Sequence, residues 1–136
     1  MDFAGIRAGL ATAATNVSGL RGMAFLADSI EPPVWVSGEV EISYDRTFRG
    51  GSAGLVEATF TGRLYVSRAD DRAGQALLDG YLTPSGSSSI KAALETDVTL
   101  GGVCKTLWVE RVHGYGLWEV AGTPYMGCQF DVKVWG

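Results

Sequence analysis

The sequence predicts an α+β fold, a mostly antiparallel sheet with helices packed on one face. Three observations carry this. Residues 55–67 alternate: Val56, Ala58, Phe60, Leu64 and Val66 point one way, and Glu57, Thr59, Thr61, Arg63 and Tyr65 the other. One face is therefore buried and one polar, the mark of a sheet covered on a single side. The apolar period then changes to that of a helix over 69–82 and returns to strand spacing after residue 102. Finally, 136 residues make one domain. Area scaling gives roughly 21,000 Å² exposed unfolded and about 7,000 Å² folded, enough to build a core without staples.

The first element is a helix. Phe3, Ile6, Leu10 and Ala13 or Ala14 share a face, Arg7 turns away, and Asp2 caps the start. Residues 16–22 break it, and 22–27 read as a short strand. Pro32-Pro33 sets an extended entry to a strand over 34–45, kinked at Gly38, where Val40, Ile42 and Tyr44 alternate with Glu39, Glu41 and Ser43. Residues 46–54 form a Gly-rich loop before the strand 55–67. The helix of 69–82 has Ala73, Leu77, Leu78 and Tyr81 as its apolar stripe, with Asp70 and Asp71 at its positive end. Thr83-Pro84-Ser85-Gly86 ends it, and Ser88 or Ser89 caps a short helix carrying Ile90 and Leu94. Residues 99–102 turn. Three strands follow, 103–112, 115–121 and 124–134, joined at His113-Gly114 and Gly122-Thr123. The chain shows no internal repeat and no dividing linker.

Composition narrows the function classes. The chain is 46% hydrophobic and 19% charged, against a usual charged share of about 25%, which excludes disorder and suits a subunit whose surface is partly covered by others. Its 19 glycines have no collagen period. A net charge of −4, with no basic cluster beyond Arg63, Arg68 and Arg72, argues against wrapping nucleic acid. Eight of the eleven basic residues are Arg, as a GC-rich genome would give. Cys104 and Cys128 are too few for a disulfide scaffold and read as small buried side chains. No apolar run spans a membrane, and Asp2, Thr12, Thr15 and Asn16 make the N-terminus a poor signal peptide. The expectation is a soluble protein of a reducing cytoplasm.

Few residues suggest chemistry. His113, the sole histidine, reads as a turn residue, with Glu110 and Glu119 at uninformative spacings. With one His and two distant Cys, no zinc spacing can be written. Asp70 and Asp71 beside Arg68 and Arg72 read as helix capping, or as an ion pair or a divalent-ion site between subunits. Gly50-Gly51-Ser52-Ala53-Gly54 has the glycines of a phosphate loop, but a strand follows it and no Lys is present, so the nucleotide reading fails. That loop carries Arg46, Phe48 and Arg49, which suit a contact that orders on assembly. Trp35, Trp108, Trp118 and Trp135 fit core packing or interface anchoring.

Two segments are more specific. SRADDRAGQ (67–75) runs on through Leu77-Leu78-Asp79-Gly80-Tyr81-Leu82 to PSGSSSIKAALE (84–95), then Leu100-Gly101-Gly102. This run resembles the tail terminator proteins of long-tailed phages that infect actinobacteria. The rest of the chain matches them in topology and length: an N-terminal helix, a Pro-Pro entry, a Tyr-Asp and Gly-rich loop, and a closing strand pair after Tyr115-Gly116. The resemblance implies a tail-terminator-like α+β subunit that forms a ring, expected to be a hexamer, capping the tail tube and stopping its growth. It implies no enzymatic activity, no catalytic residues, no cofactor and no metal. Its implied partners are further copies of the chain, the tail tube protein and a head–tail connector or stopper. DNA passes through the lumen without specific binding, and no membrane is involved. Its implied place is the virion neck, assembled in the host cytoplasm. The candidate inter-subunit contacts are Arg46, Phe48, Arg49, Arg68, Asp70, Asp71 and Arg72. Six copies would carry about −24, and a like-charged lumen would repel phosphate. The alternatives are another head–tail connector or stopper, a tail tube subunit, a small α+β enzyme using Asp70, Asp71 and His113, or a ligand-binding module using the tryptophans.

If the 46–54 loop is an assembly contact, removing Phe48 and Arg49 together should weaken self-association more than it lowers monomer stability, since a loop tip adds little to a core. Sedimentation paired with thermal melting checks this; an unchanged oligomer size would reject the loop as a contact.

Overall fold

The computed structural model describes residues 2–25, 30–44, 56–68 and 72–136, without the side chains of Arg68 and Arg72. Helix α1 (Phe3–Ala14) opens the fold, followed by strands β1 (Arg21–Met23), β2 (Val34–Ser43) and β3 (Glu57–Arg68). Helices α2 (Arg72–Tyr81) and α3 (Ile90–Leu94) come next, then the long strands β4 (Thr106–Val120) and β5 (Thr123–Trp135). The strands form one sheet ordered β1-β2-β3-β5-β4, antiparallel except where β1 runs parallel to β2. This is the α+β class expected.

α1 and α3 begin where the sequence placed their caps. Asp2 Oδ1 accepts from Gly5 N at 2.9 Å, and Ser89 Oγ accepts from Ala92 N at 3.0 Å. α1 buries Ile6, Leu10, Ala11 and Ala14. α3 buries Ile90, Ala93 and Leu94. In α2 the buried face runs through Gly74, Leu78 and Tyr81, while Ala73 and Leu77 are exposed, so the stripe is rotated from the one expected. Burying Leu78 and Tyr81, three apart, leaves Leu77 on the flank.

The core is organised by one aromatic contact. Trp35 is fully buried on the helix side of β2, with its ring 5.3 Å from Phe130. Its indole lies against Gly62 of the neighbouring strand, where a Cβ would stand 2.0 Å from two ring carbons. The indole N–H donates to Ser37 Oγ at 3.1 Å, and that hydroxyl donates to the Arg7 carbonyl of α1 at 3.0 Å. The buried polar atom of the ring is thus satisfied by a relay that also fixes α1 on the sheet. The kink at Gly38 appears as a register shift between Ser37 and Val40, after which β2 resumes its alternation.

Four further expectations are corrected. β1 is confined to Arg21–Met23, and residues 26–29 lie outside the described ones. His113-Gly114 does not link two strands: β4 is continuous, with a register shift between His113 and Gly116 that Gly114 accommodates at φ +68°. The tight turn lies at Ala121-Gly122, one residue earlier than expected. The sheet is also not apolar on one side alone. Val34, Val36, Tyr65 and Tyr125 bury a smaller cluster on the face away from the helices, flanked by Met23, Ile30, Trp118 and Val120. The run Val34-Trp35-Val36 has no polar alternation because both faces of that stretch are covered.

Gly62→Ala should destabilise the fold by about 1–3 kcal/mol, because the added methyl forces the indole out of a packed site. Urea denaturation measures it, and an unchanged midpoint would mean that Trp35 can shift freely.

Candidate functional site

Alternation that sends Ala58, Phe60 and Leu64 to the core sends Thr59, Thr61 and Arg63 to the opposite face. β5 does the same, with Phe130, Val132 and Val134 inward and Gln129, Asp131 and Lys133 outward. Register then sets these polar side chains in rows. Thr61 pairs with Asp131 and Asp131 with Arg111; Arg63 pairs with Gln129 and Gln129 with His113; Thr59 pairs with Lys133 and Lys133 with Trp108. The rows line a concavity of about 460 Å³ whose rim carries Glu41 and Glu110.

Asp131 is the centre of this face. Its side chain is 8% exposed, and its Oδ2 accepts from Arg111 Nε at 2.7 Å. His113 Nε2 lies 3.3 Å from the same carboxylate and 3.2 Å from the Gln129 amide nitrogen. A proton on Nε2 is donated to Asp131, and an unprotonated Nε2 accepts from the amide. Burial by itself pushes the Asp131 carboxyl up. The hydrogen bonds from Arg111 and His113 outweigh that and hold it below the usual carboxylate range. One row away, Lys133 Nζ donates to Glu57 Oε1 at 2.9 Å, so this cation too is matched. Arg63 stacks 5.3 Å over the Trp118 ring and lies 3.6 Å from Glu39. Trp108 and Trp135 stack at 6.4 Å and 20° beside the Lys133 row.

A second surface lies on β4, an edge strand. Glu95 of α3 accepts from the Val109 N–H at 3.0 Å and covers the inner part of that edge. Farther out, Val112, Tyr115 and Leu117 are exposed, Leu117 at 63%, and Tyr115 reaches Asp79 of α2 at 2.8 Å.

Of the residues expected to make contacts, Arg46, Phe48, Arg49, Asp70 and Asp71 lie outside the described ones. Arg68 ends β3 opposite Tyr125, and Arg72 begins α2. His113 is corrected from a turn residue to a strand residue whose partner is Asp131, not Glu110 or Glu119. Asp131 carries no motif that singles it out in the sequence, although Gln129, Asp131 and Lys133 alternating with apolar residues mark a polar face. The tryptophans divide: Trp35 is core, whereas Trp108, Trp118 and Trp135 belong to the face away from the helices. Cys104 and Cys128 are buried free thiols, and burial pushes Cys128 up to about 12. Among the described residues no cluster of three metal-ligating side chains occurs, and no helix is long and apolar enough to cross a membrane. No protein-family model matches the chain, and no curated protein matches it.

A carboxyl held lower in the folded than in the unfolded chain adds stability above its unfolded value and loses it as pH falls through the folded value. The stability gap between the wild type and Asp131→Asn should therefore be wide near neutral pH and narrow as pH falls below the ordinary carboxylate value of about 3.9. Denaturant midpoints across pH measure it; a gap that does not vary with pH would show that the ionised carboxylate is not what stabilises.

Proposed function

We propose that this chain is a structural subunit of the phage tail-terminator class, forming a ring at the end of a tail tube. The observation that carries this reading is the outer part of β4. Natural edge strands are usually blunted by Lys, Pro, a bulge or a covering element. β4 has bulges, yet Val112, Tyr115 and Leu117 remain exposed on it. Exposed apolar groups on a rigid edge suit burial against another copy, and a ring requires such a patch to meet a different patch on its neighbour. The resemblance of 67–75 and 84–95 supplies the kind of assembly. In this reading the chain acts by shape and docking and makes no bonds.

A second reading, a small acid–base enzyme, draws on the His113–Asp131 contact. It requires a substrate whose turnover is lost in His113→Gln. A stopper, connector or tube subunit would share the edge-strand argument and differ in its position in the particle.

Mixing the purified chain with tail tubes and imaging the product by electron microscopy tests the proposal. A ring at one end of each tube is the expected result, and Leu117→Asp should reduce ring formation about tenfold or more while shifting monomer stability by less than about 0.5 kcal/mol. Tubes that remain bare, or a variant that caps them as well as the wild type, would overturn it.

A further inference from the structure

We propose that the concavity on the face away from the helices binds an uncharged saccharide. The lining fixes the chemistry by elimination and by fit. Its two permanent cations are each held by a carboxylate, Arg111 by Asp131 and Lys133 by Glu57. An anionic ligand could reach the unused N–H groups of Arg111, but it would enter a lining in which Glu41, Glu110 and Asp131 outnumber Arg111 and Lys133. A polycation would meet the same two cations on the floor. An apolar ligand would strip water from the Thr59 and Thr61 hydroxyls and from the unused N–H groups of Arg111 without replacing it.

A neutral polyol avoids all three penalties. Its hydroxyls both donate and accept, and the floor offers both kinds of group within a few ångströms. The Arg111 guanidinium is two-thirds exposed, and one of its five N–H groups is used on Asp131, so it presents further donors. Planar carboxylate, guanidinium and amide groups suit adjacent hydroxyls on a sugar ring, as they suit any pair of bonds from one rigid plane. Asp131 is held in place by Arg111 and His113, so little ordering is required when a ligand arrives.

The aromatic end completes the fit. Trp108 is 40% exposed, is paired across strands with Lys133, and is backed by Trp135. A rigid indole beside a polar floor offers an apolar platform to the C–H face of a pyranose while the floor takes its hydroxyls. The proposal stands on the described residues of one subunit and is independent of whether copies form a ring.

The test is a titration of the full chain, followed by tryptophan fluorescence and confirmed by NMR shifts of the β4 and β5 amides. The probes are galactose, N-acetylglucosamine and maltotriose, with inorganic phosphate and spermidine as charged comparisons. At least one sugar should saturate with a dissociation constant on the order of 1 mM, and binding should weaken about tenfold in Asp131→Asn and in Trp108→Ala. Trp108 stands beside the Lys133 row and outside the Asp131 network, so Trp108→Ala decides the matter if Asp131→Asn does not fold. The proposal is overturned if no sugar saturates up to about 50 mM, if phosphate or spermidine binds in their place, or if folded Trp108→Ala binds the sugar as well as the wild type.

Discussion

The fold depends on the Trp35 indole resting on Gly62. A ring of that size needs a flat place on the adjacent strand, and glycine is the residue that leaves one. The indole carries one polar atom into the core, and such an atom is costly when unpaired. Ser37 resolves this from the same face of β2 and passes the hydrogen bond to the Arg7 carbonyl. Arg7 also turns back toward β2, its Nε donating to the Gly38 carbonyl at 3.4 Å. Helix position, sheet register and core packing are thus set together. α1 cannot slide along the sheet without breaking the relay, and β2 cannot slip by one residue without exchanging Trp35 for Val34 or Val36.

That constraint determines what the other face can be. Once β2 and β3 are registered by Trp35 and Gly62, Glu41 stands opposite Thr59, and Thr61 stands opposite Asp131 through β5. A carboxylate as buried as Asp131 needs partners for its charge and its lone pairs. From β4, across the bulged stretch of that strand, Arg111 supplies a cation and His113 a ring nitrogen within hydrogen-bond reach. The bulge between Val109 and Arg111 therefore has a chemical consequence: it returns Arg111 to the face where Asp131 needs it while Val109 stays in the core.

Much of this was legible in the sequence because alternation and capping are local signals. The caps at Asp2 and Ser89, the break at Gly38 and the two-sided pattern of β3 each follow from a few consecutive residues. The His113–Asp131 contact was not legible, because it depends on β4 running on through His113-Gly114. Only a continuous β4, paired with β5 past the expected break, brings residue 113 beside residues 129 and 131. That continuity was itself hidden. His-Gly between two apolar runs is the usual sign of a turn, yet a single residue at positive φ serves a bulge as well as a hairpin. The small cluster around Tyr65 and Tyr125 escaped because its members are far apart in sequence and read as ordinary alternation within each strand.

β4 shows how one strand serves two environments. Its inner part is treated as a hazard to be covered: Glu95 takes the Val109 N–H, and Lys91 holds Glu95 with both carboxylate oxygens at 2.6 Å. Its outer part is shaped but not covered. The shift around Gly114 and the Tyr115–Asp79 hydrogen bond fix its path, while Leu117 stays exposed. A flat, uncovered edge would pair with any passing strand. A bulged edge accepts far fewer partners, because a partner must match its twist and the interruption in its hydrogen-bond ladder. In the assembly proposed above, exposure would supply the driving force for docking and the bulge the selectivity; within the chain, the same fifteen residues close the core with Leu107 and Val109 and leave a bulged apolar stretch exposed beyond them.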